Sequence, residues 1–169
     1  LVGGPTRHAP WRVEALQAQL QVLGQRVQSE GGSVLATISR RTPPAALDVL
    51  RAQLHGIPGL LWDGTGTNPY PGMLACADRL VCTPDSVNLL SEACATHAPV
   101  QVLEADCASG KISAFLRALQ ARGRIGERDG DAPHAPVQPL RETARVAAIV
   151  RDRLGLGPRP QAGTHDYPE

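Results

Sequence analysis

Apolar positions along the chain recur at two spacings. Val13, Leu16, Leu20, Leu23 and Val27 return every three or four residues, as on one face of an α-helix. They predict a helix over 11–28, with Pro10 placed to start it and Glu30-Gly31-Gly32 to end it. Short apolar runs then alternate with further helical stretches. The pattern predicts strands at 1–3, 33–38, 59–62, 79–83 and 100–103, and helices at 44–55, 69–77, 85–96, 109–122 and 140–154. The last helix is expected to cross back over the domain. Residues 126–139 are rich in Gly, Asp and Pro and read as a loop, and 155–169 as a loose tail. The strands are short and apolar on both faces, which suits parallel strands covered by helices on both sides. The expected fold is an α/β, Rossmann-like three-layer domain over 1–154, with one parallel sheet of about five or six strands.

Composition narrows this reading. A chain of 169 residues suits one ordinary domain. Aromatic residues make up only 3%, so aliphatic side chains must fill the core. A net charge of +1 gives no general attraction to nucleic acid or to a membrane surface. Lys111 is the only lysine, which reads as a coding bias toward arginine. Cys76, Cys82, Cys94 and Cys107 form no C-x-x-C pair and have no histidine at ligand spacing. They are expected to be reduced, intracellular, small core residues, with no metal site and no cofactor. No signal peptide and no membrane-length apolar run is legible, so the expected location is the cytoplasm or the periphery of a membrane. The chain opens on Leu1-Val2-Gly3-Gly4, like the end of a strand, and is expected to be part of a longer two-domain protein.

In open parallel sheets, ligands bind beyond the carboxyl ends of the strands. The polar motifs fall at those ends. Gly3-Gly4-Pro5-Thr6 follows the first strand, and its glycines serve either a close backbone approach to ligand or a tight turn. Ser39-Arg40-Arg41-Thr42 follows the second. Its arginines offer forked, permanently charged donors that suit phosphate, while Thr42 is expected to cap the next helix. Asn68-Pro69-Tyr70 follows the third. Asn68 is placed to cap a short helix, and Tyr70 either stacks on a base or plugs the core. Asp85-Ser86 opens a helix after the fourth strand. Asp85 is expected to cap it, while Ser86 and nearby amides face an anion. Glu92, two turns in, either accepts from vicinal ribose hydroxyls or is a surface acid. A dehydrogenase or epimerase is disfavoured, because neither G-x-G-x-x-G nor a Tyr-x-x-x-Lys pair occurs.

Taken in order, Gly3-Gly4-Pro5-Thr6, Ser39-Arg40-Arg41-Thr42-Pro43, Asn68-Pro69-Tyr70, Ala77-Asp78, Thr83-x-Asp85-Ser86 and Ser91-Glu92-Ala93 to Pro99-Val100 form one series. That series resembles the mitochondrial-fission "elongated mitochondria" family, including its bacterial members of unknown function. The family is related to the glycosyltransferase-B fold, in which two Rossmann-like halves face each other across a cleft. By that resemblance the chain corresponds to the carboxyl-terminal half, which holds a nucleotide-sugar donor, and its partner is the amino-terminal half of the same chain. Residues 73–102 are also similar to the donor-binding segment of the peptidoglycan glucosaminyltransferase. The similarity implies that Glu92 takes the ribose hydroxyls and that amides near Ser86 meet the diphosphate. Arg40 or Arg41 would then stabilise the leaving diphosphate. The general base would come from the other half, so this half alone is not expected to be active. One departure stands out: Pro84-Asp85-Ser86 replaces the glycine-rich turn of those transferases. Plant members of the family recruit a dynamin-like protein, which implies a second use of the fold as a non-catalytic adaptor with a protein partner.

Overall fold

The computed structural model describes residues 1–126 and 137–157. Most of the expected loop, 127–136, and the tail beyond 157 lie outside the described residues. The elements run α1 (Val13–Ser29), β1 (Val34–Thr37), α2 (Pro44–Leu54), β2 (Gly59–Trp62), α3 (Tyr70–Cys76), β3 (Leu80–Cys82), α4 (Val87–Cys94), β4 (Val100–Val102), a 3-10 turn (Ala105–Cys107), α5 (Gly110–Ala121) and α6 (Glu142–Arg153). Local chemistry sets several of these ends. Gly31 takes a left-handed φ of 66° after α1, and the Gly32 N–H returns to the Val27 carbonyl at 2.8 Å. That closes α1 as a Schellman turn. Pro44 begins α2, where its missing N–H costs nothing.

β1 pairs in parallel with β2, Val34 opposite Gly59, and β3 pairs in parallel with β4, Leu80 opposite Val100. Residues 1–3 lie between the pairs. The Val2 N–H donates to Thr37 O at 3.0 Å, and Ser39 N–H donates to Val2 O at 3.0 Å. On the other side Leu1 donates to Val81 O at 2.7 Å, and Thr83 N–H donates to Leu1 O at 3.1 Å. Among the described residues the regular ladders are two two-stranded parallel sheets in place of the expected single sheet of five or six strands. Val2 makes one bridge, to Ile38, and Gly3 gives its N–H to the Thr83 side chain. Ile125 likewise makes a single bridge, to Val100.

Two apolar clusters hold the fold. Leu16 and Leu20 of α1 meet Ala46 and Leu50 of α2, together with Val2, Trp11 and Leu103. Leu80, Cys82, Val100 and Val102 meet Leu90 and Cys94 of α4 and Leu116 and Leu119 of α5. Each fully buried leucine stabilises the fold by about 1.5–3 kcal/mol.

The structure corrects three expectations. Leu35 and Leu60, opposite each other in the β1–β2 register, are exposed, so that pair is not covered on both faces. Leu61, on the other face, packs into the α1–α2 cluster, whereas Leu74 of α3 joins the other cluster. The last helix forms, but α6 buries none of its residues and so does not pack across the domain. Of the four free cysteines, Cys82 and Cys94 are buried and Cys107 partly so, but Cys76 is exposed at the end of α3. Among the described residues, no helix is long and apolar enough to cross a membrane, and no His, Cys, Asp and Glu cluster is placed to hold a metal.

Candidate functional site

Because the strands are parallel, the loops after residue 3, β1, β2 and β3 leave the same end of the fold. Their residues are held by a web of hydrogen bonds centred on Asp85. Its side chain is 0% exposed. One carboxylate oxygen accepts the Trp11 indole N–H at 2.9 Å, and the other accepts the Gly4 N–H at 3.0 Å. Thr83, also buried, accepts the Gly3 N–H at 2.8 Å. An Arg41 guanidinium nitrogen stands 3.5 Å from Asp85 Oδ2, with the arginine side chain 57% exposed.

Asp85 is therefore not the helix cap that its position suggests. Ser86 caps α4, its Oγ accepting the Leu89 N–H at 3.3 Å. The carboxylate turns inward because three donors converge there, and a buried carboxylate needs such partners. Gly3 and Gly4 exist for space: a Cβ on Gly3 would strike the Asp85 carboxylate, and one on Gly4 the Arg41 carbonyl. Both are close backbone approaches within the protein itself.

Thr42 departs from its expected role in the same way. Pro43 stands at the N-cap of α2 with no side-chain cap. The Thr42 hydroxyl lies 2.9 Å from Val2 O and 2.8 Å from Gly3 O, sharing its proton between them, and accepts Ser39 N–H at 2.9 Å. Thus the second loop is tied to the first. Ser39 Oγ accepts the Arg41 N–H at 3.2 Å, and Arg40 is exposed. Thr6 closes its own turn by accepting the Ala9 N–H at 3.1 Å.

Asn68 and Tyr70 come together with Glu92. Pro69, not Asn68, stands at the N-cap of α3, and Asn68 Oδ1 instead accepts the Tyr70 N–H at 2.9 Å from one residue further out. The Tyr70 hydroxyl donates to Glu92 Oε2 at 2.6 Å. Tyr70 neither plugs the core nor lies free, and burial together with the Glu92 carboxylate raises its phenol pKa. Glu92 is exposed on α4. The structure thus brings Gly3, Gly4, Ser39, Arg41, Thr42 and Asp85 into one web, and Asn68, Tyr70 and Glu92 into a second contact.

Sequence reasoning missed Trp11 and Thr83. The signal was present for Trp11: a buried indole N–H almost always finds an acceptor. A separate cavity of 630 Å³ lies beside the 3-10 turn and α5, lined in part by Val102, Asp106, Leu116 and Arg117, and none of the residues selected from the sequence lines it.

Parallel strands with polar loops gathered at one end define an α/β protein built to present a rim. The chain belongs to the Mitochondrial fission ELM1 family, whose sequence profile matches residues 1–154. The Mitochondrial fission protein ELM1 of Arabidopsis thaliana is 39% identical over 127 residues, which cover 73% of this chain and 30% of that relative. The match thus spans less than a third of the relative's length. No solved structure matches the chain.

Proposed function

We propose that residues 1–154 are the nucleotide-diphosphate-sugar-binding half of a glycosyltransferase-B-like protein. In this reading the two sheets are parts of one, ordered β2, β1, residues 1–3, β3, β4 and Ile125. The observation that carries it is the pairing of Tyr70, at the start of α3, with Glu92 of α4, on helices that follow strands whose ends also lead to Ser39, Arg41 and Ser86. Glu92 offers an exposed carboxylate for ribose hydroxyls. Arg40 and Arg41 offer charge for a diphosphate, and the start of α4 offers the positive end of a helix dipole. Titration calorimetry of the full-length protein with UDP-, GDP- and ADP-sugars tests it. Heat with one of them is expected, and no heat with any overturns the reading.

One observation favours a second reading, a non-catalytic adaptor that binds a protein partner. The Asp85 carboxylate occupies the glycine loop where a diphosphate would approach the backbone. A chain that fills this loop with its own anion has less room for a ligand's. Glu92→Ala combined with Arg41→Ala separates the two. Loss of nucleotide binding supports the donor site; unchanged function in cells supports the adaptor.

A further inference from the structure

α5 carries a partly polar face that borders open space. Ser113, Leu116, Arg117 and Gln120 stand at i, i+3, i+4 and i+7 of the helix, so they share a face. All four line the 630 Å³ cavity, which also touches Val102 at the carboxyl end of β4. Open parallel sheets bind ligands beyond that end of their strands. The volume falls within the range of small-molecule pockets. Much of the lining is apolar. Val102, Leu116 and Ile125 belong to the cluster between β4 and α5 and are each more than nine-tenths buried. Ala105 and Ala108, in and just after the 3-10 turn, bring only methyl groups and leave the space open.

We propose that this cavity binds a small monocarboxylate with an apolar body, held by Arg117. The inference goes beyond the donor-site reading, since Arg41, Ser86 and Glu92 do not line the cavity. Among the described residues, the side chains of Ser113, Arg117 and Gln120 have no hydrogen-bond or ion-pair partner. One unpaired arginine on a surface helix carries no such meaning. Three unpaired donors around one cavity with an apolar lining do: a hydroxyl, a guanidinium and an amide, within two turns of each other. The guanidinium fork matches the two oxygens of a carboxylate and never loses its charge. The apolar body of the ligand covers Val102, Leu116 and Ile125. Asp106 lines the same cavity. Its negative charge repels a phosphate dianion more than a singly charged carboxylate, which decides between the two anions.

Fluorine NMR of the full-length protein with three probes tests this: para-fluorobenzoate, its uncharged amide para-fluorobenzamide, and para-fluorophenyl phosphate. The benzoate is expected to bind with a Kd of about 1 mM, as suits a ligand of its size. The amide is expected to bind about 10- to 100-fold more weakly, because it lacks the charge that Arg117 meets. Arg117→Gln is expected to weaken the benzoate by the same factor and to leave the amide unchanged. Lys111→Gln removes a charge from the same helix outside the cavity and is expected to change neither. Asp106→Asn is expected to improve binding of the phosphate more than that of the benzoate. Absence of benzoate binding to wild type overturns the proposal, as does equal binding of benzoate and amide. A loss in Lys111→Gln equal to that in Arg117→Gln would mean a general attraction to the basic helix and overturns it too. Tighter binding of the phosphate than of the benzoate to wild type overturns the choice of carboxylate. None of these outcomes bears on nucleotide binding at the rim.

Discussion

The Asp85 carboxylate accepts the Trp11 indole N–H at 2.9 Å across 74 positions of sequence. With the Gly4 N–H on its other oxygen, Asp85 joins the loop before α1 to the start of α4. Asp85→Ala leaves two buried donors unpaired, at about 1–3 kcal/mol each, so a loss of about 2–6 kcal/mol is expected. Asp85→Asn keeps an acceptor oxygen and is expected to lose less. Arg41 is largely exposed, so Arg41→Ala is expected to change stability by less than about 1 kcal/mol. Urea midpoints of the three variants check the order. An Asp85→Ala midpoint equal to wild type would contradict an anchoring role for Asp85.

Two glycines beside that carboxylate respond to size alone. Neither Gly3 nor Gly4 has a left-handed backbone, yet a Cβ on either meets protein atoms too closely to fit. Gly3→Ala and Gly4→Ala are each expected to destabilise by at least about 1–3 kcal/mol, the usual range for overpacking. Gly72, inside α3, has open space around its missing Cβ. Gly72→Ala is expected to stabilise by about 0.5–1 kcal/mol. Thermal melts should move down for the first two variants and up for the third.

The buried thiol of Cys82 makes stability depend on alkaline pH. Burial pushes its pKa up from 9.0 to about 11. Between those values the unfolded chain has lost the proton and the folded chain still holds it. Stability therefore falls as pH rises through this window, by about 1.4 kcal/mol per pH unit for one such proton. The raised phenol of Tyr70 and the raised thiol of Cys94 act in the same direction. Cys82→Ala should flatten the slope of stability between pH 9 and 11 relative to wild type. In the native state at neutral pH, a thiol reagent is expected to label exposed Cys76 first and Cys82 and Cys94 only after unfolding.

Among the described residues, α6 depends on the body of the protein less than any other long helix. It buries none of its residues and is tied by the Glu142 ion pairs with Arg145 and Arg122 at its start. α4, by contrast, buries Leu90, Ala93 and Cys94. Hydrogen exchange should therefore be faster in α6 than in α4, because isolated helices of this length are marginal in water. Equal protection in the two helices would contradict this difference in packing.

Local pattern was enough to set the succession of elements. The 3.6-residue spacing of Val13, Leu16, Leu20, Leu23 and Val27 placed α1, and the alternation of apolar runs with helical stretches placed the parallel strands and the loops at their ends. Such patterns are readable because each residue's periodic neighbours report the same face. The motifs near Gly3, Ser39, Asn68 and Asp85 were legible for the same reason: each follows a strand. Their roles depend instead on contacts between distant parts of the chain. Asp85 and Thr42 both looked like helix caps, since an Asp or Thr before a helix caps it when nothing stronger competes. In the folded chain the backbone of residues 2–4 and the Trp11 indole compete and win. For Asp85 the competing donors lie 74 and 81 positions away, and buried donors and acceptors must be paired wherever the chain brings them. The join between Tyr70 and Glu92 is of the same kind, fixed by how α3 and α4 pack. The place of residues 1–3 between the two sheets was also set in three dimensions, by hydrogen bonds to Thr37 and Ser39 on one side and to Val81 and Thr83 on the other.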